Sequence, residues 1–411
     1  MEHYKKLIRE YSKKIYKNIT REAGGYLNYP FIVPGRAYAR QLWDWDSWLT
    51  DIAIRQIMLD DNIPLSEYEK YEKGCILNFL ENTNKNGKMP ILISSDKGKE
   101  WIDSGTNMHK PCIAQHIAFI VQNSDGDTEW FEKYFDVLKK FIGNYMTNQR
   151  DENTGLYFWL DDFAIGVDND PTCFYRAQKS NASVYLNCMM YTELKAMHYL
   201  CGLLNECTDY YEAEAEKLKN AVNKYLWDER NGFYYSADLN LLPIDNNSWL
   251  HSGMPRHWHS LIQKIDVWSG FMAMWSEIAS PERAQRMVNE NMLCEMTFWS
   301  NFGVRSLSKC EQMYRVTASS NPSCWTGPVW GVVNYVCFRS LLKYGYIDIA
   351  KRLAEKTVRL YGRDIEISGE MHEYYDPDSG IGVCNPDFQS WNLLVNNMIA
   401  WLDGKKVLNE F

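Results

Sequence analysis

Asn181-Ala182-Ser183-Val184-Tyr185-Leu186-Asn187-Cys188-Met189-Met190-Tyr191-Thr192-Glu193-Leu194-Lys195-Ala196-Met197, read on to Leu204, has the length of a helix and apolar residues on nearly every face. Val184, Leu186, Met189, Met190, Leu194 and Met197 cannot share one stripe, and a helix that is apolar all round is packed on all sides. The helical pattern before it, 128–149, is of another kind. Phe131, Tyr134, Phe135, Leu138, Phe141, Ile142 and Tyr145 follow helical spacing, while Lys133, Asp136, Lys139 and Lys140 take the opposite face. The pattern after it, 208–227, is amphipathic as well. A buried helix between two half-exposed ones is the unit the rest of the chain repeats.

Periodicity and caps predict twelve helices, at about 2–21, 46–60, 65–84, 110–124, 128–149, 181–204, 208–227, 268–278, 280–293, 328–344, 346–361 and 388–403. They fall into six pairs with short internal links such as Asn62-Ile63-Pro64, Asp125-Gly126-Asp127 and Gly345, and a long link precedes each even-numbered helix. The even helices are the apolar ones; Val329, Val332, Val333, Val336, Phe338 and Leu341 cover several faces of another. Six buried helices alternating with six half-exposed ones predict an all-α fold, an (α/α)6 barrel formed by residues 1–411 as a single domain. No fixed repeat of roughly 34 or 40 residues is present, which argues against a helical solenoid.

Composition narrows the functional classes. A net charge of −9 without a basic cluster argues against nucleic acid. No apolar run approaches the roughly twenty residues of a membrane span, and the start of the chain leads into an amphipathic helix without a secretory apolar core. The 11 cysteines are odd in number, scattered and without a CxxC pair, so they read as reduced thiols of a cytoplasmic protein. His257-Trp258-His259 has no Cys or carboxylate at ligand spacing, so no metal or other cofactor is expected. The partner expected is a small carbohydrate; the oligomeric state is not legible.

The unusual residues gather before, or at the start of, the even helices: Trp43-Asp44-Trp45-Asp46-Ser47, His109-Lys110-Pro111, Ile165-Gly166-Val167-Asp168-Asn169-Asp170-Pro171, Trp268-Ser269-Gly270, Trp325-Thr326-Gly327-Pro328-Val329-Trp330, and Glu373-Tyr374-Tyr375-Asp376-Pro377 with Phe388-Gln389-Ser390-Trp391. Each alone reads as a cap or turn. In a double ring all inner helices start at the same end, so the six segments converge on one mouth. Two acidic, aromatic loops some two hundred residues apart, around Asp168 and Glu373, then suggest two carboxylates facing one another across a sugar.

In this order the motifs resemble glycoside hydrolase family 63, whose short members include mannosylglycerate and glucosylglycerate hydrolases; the pattern is more distantly similar to trehalase. The resemblance spans residues 29 to 403, with Phe298-Trp299-Ser300-Asn301-Phe302-Gly303-Val304-Arg305-Ser306 as a further family-like segment. It implies inverting hydrolysis of an α-glycosidic bond in a small α-glucoside or α-mannoside, a disaccharide or a glycosylglycerate-like compound. Carried over residue by residue, it implies Asp168 as general acid and Glu373 as general base. Trp45 and Asp46 would hold the nonreducing sugar, with Gly166, Trp325 and Trp330 lining its pocket. The chemistry agrees: an inverting glycosidase needs one protonated carboxyl on the leaving oxygen and one carboxylate activating water from the opposite face. Burial near aromatics raises the acid's pKa, and Phe163, Phe174 and Tyr175 are candidates for that role.

The chain departs from the family around the leaving group. Lys110 stands where the family usually has Gln, Thr326 where it has Arg, and Asp170-Pro171-Thr172-Cys173-Phe174 where it has Ser-Pro-Arg-Trp-Asp. Lys110 either points into the pocket, favouring an anionic group or an unusual hydroxyl pattern, or turns outward onto a surface carboxylate. The competing function is a non-catalytic carbohydrate-binding protein on the same fold. A terpene cyclase is disfavoured, because neither Asp161-Asp162 nor Asp60-Asp61 continues into an Asp-Asp-x-x-Asp metal motif.

Overall fold

A computed structural model describes residues 1–98, 105–106, 108–206, 209–242, 249, 253, 256–317 and 322–411. Each expected range overlaps an α-helix: α1 Glu2–Ile15, α2 Asp44–Asp61, α3 Glu69–Glu81, α4 Ile113–Gln122, α5 Phe135–Asn148 and α6 Val184–Leu203. They continue with α7 Asp209–Tyr225, α8 Met272–Trp275, α9 Pro281–Arg286, α10 Gly331–Lys343, α11 Ile347–Ser368 and α12 Val395–Leu402. Residue 208, where the seventh was expected to begin, lies outside the described residues. Among the described residues no helix is long and apolar enough to cross a membrane.

The two helix types separate by burial. Every residue of α2 from Asp44 to Met58 is buried, as is every residue of α4 from Ile113 to Val121. In α5 only Phe135, Leu138, Phe141, Ile142 and Tyr145 are buried, the single face the spacing predicts. The buried helices pack in succession: α2 on α4, α4 on α6, α6 on α8, and α8 on α10. Then α10 packs on the 3-10 turn Ser390–Leu394 and on α12, which both return to α2. Outside them α7 packs on α6, α3 on α4, and α11 on α10 and α12, with α1 laid along α11. A buried polar cluster ties α2, α3 and α4 together: Arg55 forks onto Glu72 at 2.7 and 2.6 Å, and His116 meets Asp51 at 2.7 Å.

The structure corrects several boundaries, three of them for a tertiary reason. The expected helix at 268–278 is a 3-10 turn, Trp268–Phe271, followed by the single turn α8. A Cβ at Gly270 would come within 2.4 Å of the Phe233 ring, and Glu277 takes a left-handed φ of 58° that stops the helix. The helix expected to end at 361 instead runs to Ser368, packed on α1 at Gly362, where the Tyr4 ring lies 2.4 Å from where a Cβ would sit. The first helix ends at Ile15, and Thr20–Arg21 forms a short strand against Phe31–Ile32. Similar two- and three-residue antiparallel pairs stiffen the long links.

Beyond α12 the chain turns back over the end of the ring opposite the helix starts. Glu410 is buried there, accepting from Trp275 Nε1 at 3.0 Å, the Tyr335 hydroxyl at 2.8 Å and Arg339 Nε at 3.0 Å. Glu410, Trp275 and Tyr335, with Trp45, Trp48, Tyr185 and Trp268, surround a cavity of only about 20 Å³, so the centre of the ring is filled.

Candidate active site

The loop ahead of α6 is held in shape by residues that accept left-handed backbone. Gly166 has φ 65°, and a Cβ there would lie 2.6 Å from Lys110 Nζ, so both conformation and space demand glycine. Asn169, at φ 51°, is of the type that tolerates this region, and its side-chain oxygen accepts the Trp325 N–H at 2.9 Å. That bond fastens the loop to the segment ahead of α10. Asp170 is buried and its carboxylate accepts the Thr172 N–H at 2.8 Å; it builds the turn behind Asp168. Asp168 itself is half-buried in the wall of a cavity.

The other side of that cavity comes from the loop ahead of α12. Tyr374–Tyr375 pairs with Val329–Trp330, with Trp330 opposite Tyr374, which brings the residue before the strand, Glu373, to the cavity that Trp330 also lines. The Glu373 carboxylate accepts the Tyr38 hydroxyl at 3.2 and 3.3 Å and the Asn385 amide at 2.5 Å. Burial pushes its pKa up to about 7 against the pull of these two donors, and the charge of Asp168 adds to the rise. Asp46, in the first turn of α2, accepts the Ser390 hydroxyl at 2.8 Å. Burial lifts it to about 7 as well, with Ser390 and Lys110 opposing and Asp44 and Glu373 adding.

The walls are aromatic. Trp325 and Trp330 stack at 3.8 Å with 9° between their planes, and Trp45 lies 6.1 Å from Trp325. Trp45, Asp46, Gly166, Asp168, Trp325, Trp330 and Glu373 all line the same cavity, of about 60 Å³. Space of that size holds roughly four to six waters, the displacement of one sugar ring rather than of a long oligosaccharide. Flat apolar faces combined with a few fixed polar groups are the usual make-up of a small-molecule pocket.

Two expected site residues are elsewhere. Phe163 is 78% exposed: in its 3-10 turn the neighbours Ala164 and Ile165 take the buried positions, leaving the ring outside. Tyr175 is 90% exposed, while Phe174 is half-buried. Lys110 neither lines the pocket nor turns outward. It is wholly buried behind the wall, with Nζ 2.8 and 3.0 Å from the Asp44 carboxylate and its backbone N–H donating to Asp44 at 2.8 Å. Nζ also lies 5.1 Å from the Trp45 ring centre. A cation taken out of water needs such a partner, and Asp44 is the one within reach. Sequence reasoning missed Tyr38 and Asn385, which sit in irregular segments without periodicity. Tyr38 carries no local signal; Asn385, next to Pro386, reads only as a turn.

Residues 39–391 match the family model of the mannosylglycerate hydrolase MGH1-like glycoside hydrolase domain. A mannosylglycerate hydrolase of Rubrobacter radiotolerans is 27% identical over 208 residues, 51% of this chain and 41% of that protein. A mannosyl-oligosaccharide glucosidase of Arabidopsis thaliana is 25% identical over 394 residues, 86% of this chain and 46% of that protein. The chain thus spans less than half the length of these curated relatives. Among solved structures, the GH63 mannosylglycerate hydrolase from Thermus thermophilus in complex with glucose superposes with a TM-score of 0.71 at 19% identity, over 93% of this chain and 98% of that one. Neutral trehalase Nth1 from Saccharomyces cerevisiae superposes with 0.61 at 17% identity, over 92% and 74%. At these identities the superpositions speak for a shared helical fold.

Proposed function

From the premise that the chain belongs to the mannosylglycerate hydrolase MGH1-like glycoside hydrolases of glycoside hydrolase family 63, we propose that it cleaves the α-glycosidic bond of a small α-glucoside or α-mannoside with inversion. The observation that carries the reading is the meeting of Asp168 and Glu373 in one tryptophan-walled cavity, close enough for the charge of the first to raise the pKa of the second. Asp168 protonates the leaving oxygen. Glu373, steadied by Tyr38 and Asn385, takes a proton from the water that attacks the anomeric carbon from the other face. Asp46 orients the ring by accepting a sugar hydroxyl, and the Trp325–Trp330 stack and Trp45 pack against its C–H faces. We read the whole chain as one catalytic domain, its buried and half-exposed helices forming the two rings of an (α/α)6 barrel. The succession of helix contacts from α2 round to α12 and back supports that closure.

Inversion sets a distance and a product. The two carboxyl groups should stand roughly 6.5–9.5 Å apart in the sugar complex, and the first product from an α-glycoside should be the β-anomer. Asp168→Asn should nearly abolish hydrolysis of glycosides while sparing a glycosyl fluoride, whose leaving group needs no proton. Glu373→Gln should impair both. The checks are proton NMR of the first-formed anomer and initial rates on both substrate types. An α-anomeric first product, or a fully active Asp168→Asn on a glycoside, would defeat the assignment. Sugar binding with no turnover of any substrate would make the chain a carbohydrate-binding protein.

A further inference from the structure

We propose that Asp364 is a positioning residue for the general base: it anchors the segment that carries Glu373 through the residues on either side of it, a role that rests on the hydrolase reading above. Asp364 lies on the outer helix α11, none of whose residues lines the cavity. Its carboxylate is buried, and a buried carboxylate must be met by donors. One comes from its own helix, the Ser368 hydroxyl at 3.0 Å from Oδ1. Three others meet at Oδ2, and all belong to the base segment. They are the His372 backbone N–H at 3.1 Å, His372 Nδ1 at 2.8 Å and the Tyr375 hydroxyl at 2.8 Å. Hydrogen bonds to an ionised oxygen are roughly twice as strong as neutral ones.

His372 and Tyr375 bracket Glu373. With both ends of so short a span fastened to one atom, the Glu373 backbone cannot slide along the strand or roll about it. The grip extends to the neighbours of the base. The Glu373 N–H donates to the Cys384 carbonyl and the Val383 N–H to the Tyr374 carbonyl, each at 3.0 Å, so the returning strand that carries Asn385 is set by the same anchor. Glycine at 382 leaves the space that the His372 ring takes up. The His372 carbonyl accepts the Asn392 amide at 2.7 Å, and Asn392 Oδ1 accepts the hydroxyl of Tyr361, one turn before Asp364 on α11, at 2.7 Å. Asn392 belongs to the Ser390–Leu394 turn, whose Ser390 donates to Asp46. Two positions of an outer helix thus hold both the base and the turn beside the sugar-orienting carboxylate. A displacement of about 1 Å at a reacting group can cost about a hundredfold in rate, so such an anchor bears on kcat.

The test compares Asp364→Ala, Asp364→Asn and Tyr375→Phe with the unmodified protein near pH 8, above the value of about 7 to which Glu373 is lifted. The substrates are α-glucosyl and α-mannosyl fluoride, and whichever α-linked disaccharide or glycosylglycerate the protein cleaves fastest. Free glucose and mannose, as competitive inhibitors, report sugar binding. Asp364→Ala should lower kcat at least about tenfold, by the same factor on fluoride and glycoside because both need the base. The inhibition constant of the free sugar should change by less than about threefold. Asp364→Asn can turn its oxygen to the three donors and its amide to Ser368, so it should keep at least about a third of the rate. Tyr375→Phe removes one donor and should fall between the two. A folded Asp364→Ala with full activity overturns the proposal, as does a loss that lies in sugar binding or is confined to the glycoside. An Asn variant as slow as the Ala variant overturns it too, because the effect would then follow charge and not placement. If Asp364→Ala does not fold, Tyr375→Phe decides: a loss in kcat alone supports the anchor, and unchanged rates defeat it. All these outcomes leave the hydrolase reading intact. If the unmodified protein turns over neither fluoride nor any α-glycoside, that reading fails and the anchor's role with it.

Discussion

Removing the two donors on Glu373 should move the pH dependence of the reaction by an amount the geometry sets. Asn385→Ala deletes the amide at 2.5 Å, and Tyr38→Phe deletes a hydroxyl at 3.2 and 3.3 Å. Both donors stabilise the ionised carboxyl and oppose the burial that lifts Glu373 to about 7. A hydrogen bond to a charged group is worth about 1.5–3 kcal/mol, with the long, divided tyrosine contact at the weak end. At about 1.4 kcal/mol per pKa unit, Asn385→Ala should raise Glu373 by roughly one to two units and Tyr38→Phe by about half to one. Glu373 must be ionised to take a proton from water, so a higher pKa displaces the acid limb of kcat/KM to higher pH and leaves the alkaline plateau nearly in place. The substrate to use is a glycosyl fluoride, which needs no general acid and so isolates the base limb, followed from about pH 5 to 9. Near pH 6, Asn385→Ala should lose about ten- to a hundredfold relative to the unmodified protein, the loss shrinking as pH rises past the shifted pKa. A limb that stays where it was, or moves to lower pH, would show that Glu373 is not the group whose ionisation gates the reaction. A uniform loss at every pH would mean that Asn385 only holds shape.

Gly166→Ala should cost about 1–2 kcal/mol in backbone strain alone, and its methyl would collide with Lys110, so the Asp168 loop must shift. The expected outcome is a kcat lowered at least about tenfold with a smaller change in KM, read from steady-state rates; full activity would refute the placement of the loop. Lys110→Gln strands the buried Asp44 charge and should destabilise by about 3–5 kcal/mol, less what the amide recovers, measured by urea unfolding. Since Lys110 does not line the cavity, relative rates among substrates should stay within about threefold; a shift of tenfold with stability intact would put it back into substrate selection.

How far the sequence carried the argument follows from which interactions are local. The contrast between α5 and α6 is a matter of periodicity within each helix, and it was legible. The end of α11 was not, because its last turns pack near Gly362 against the Tyr4 ring of a helix some three hundred and fifty residues away. The same division holds at the site. Trp45, Asp46, Asp168, Trp325, Trp330 and Glu373 stand in compact motifs, and a family resemblance pointed to them. Tyr38 and Asn385 act through a carboxylate that is remote from Tyr38 in sequence and reached by Asn385 only across a loop, so neither shows locally. Lys110 was conspicuous as a charge, but its partner lies 66 positions earlier, and only packing reveals that the pair neutralises itself.

The seam between α2 and the Ser390–Leu394 turn bears on how the protein is made. Ser390 reaches Asp46 across 344 residues, Asn396 reaches Ser12 across 384, and Lys5 reaches Asp403 across 398. Contacts of such separation are slow to form, because the loop must be closed before they contribute anything. While the chain is being synthesised, the apolar faces of α2 and α10 lack their last neighbours, the state in which multi-helix chains are open to aggregation and to chaperones. The pocket is sealed in that same final event, since Asp46 gains its hydroxyl donor and Trp45 its Trp391 neighbour, at 5.0 Å, only when the seam closes. Helical signal in a refolding chain should therefore return before sugar binding does, as followed by far-UV circular dichroism against ligand binding; simultaneous recovery would refute this order.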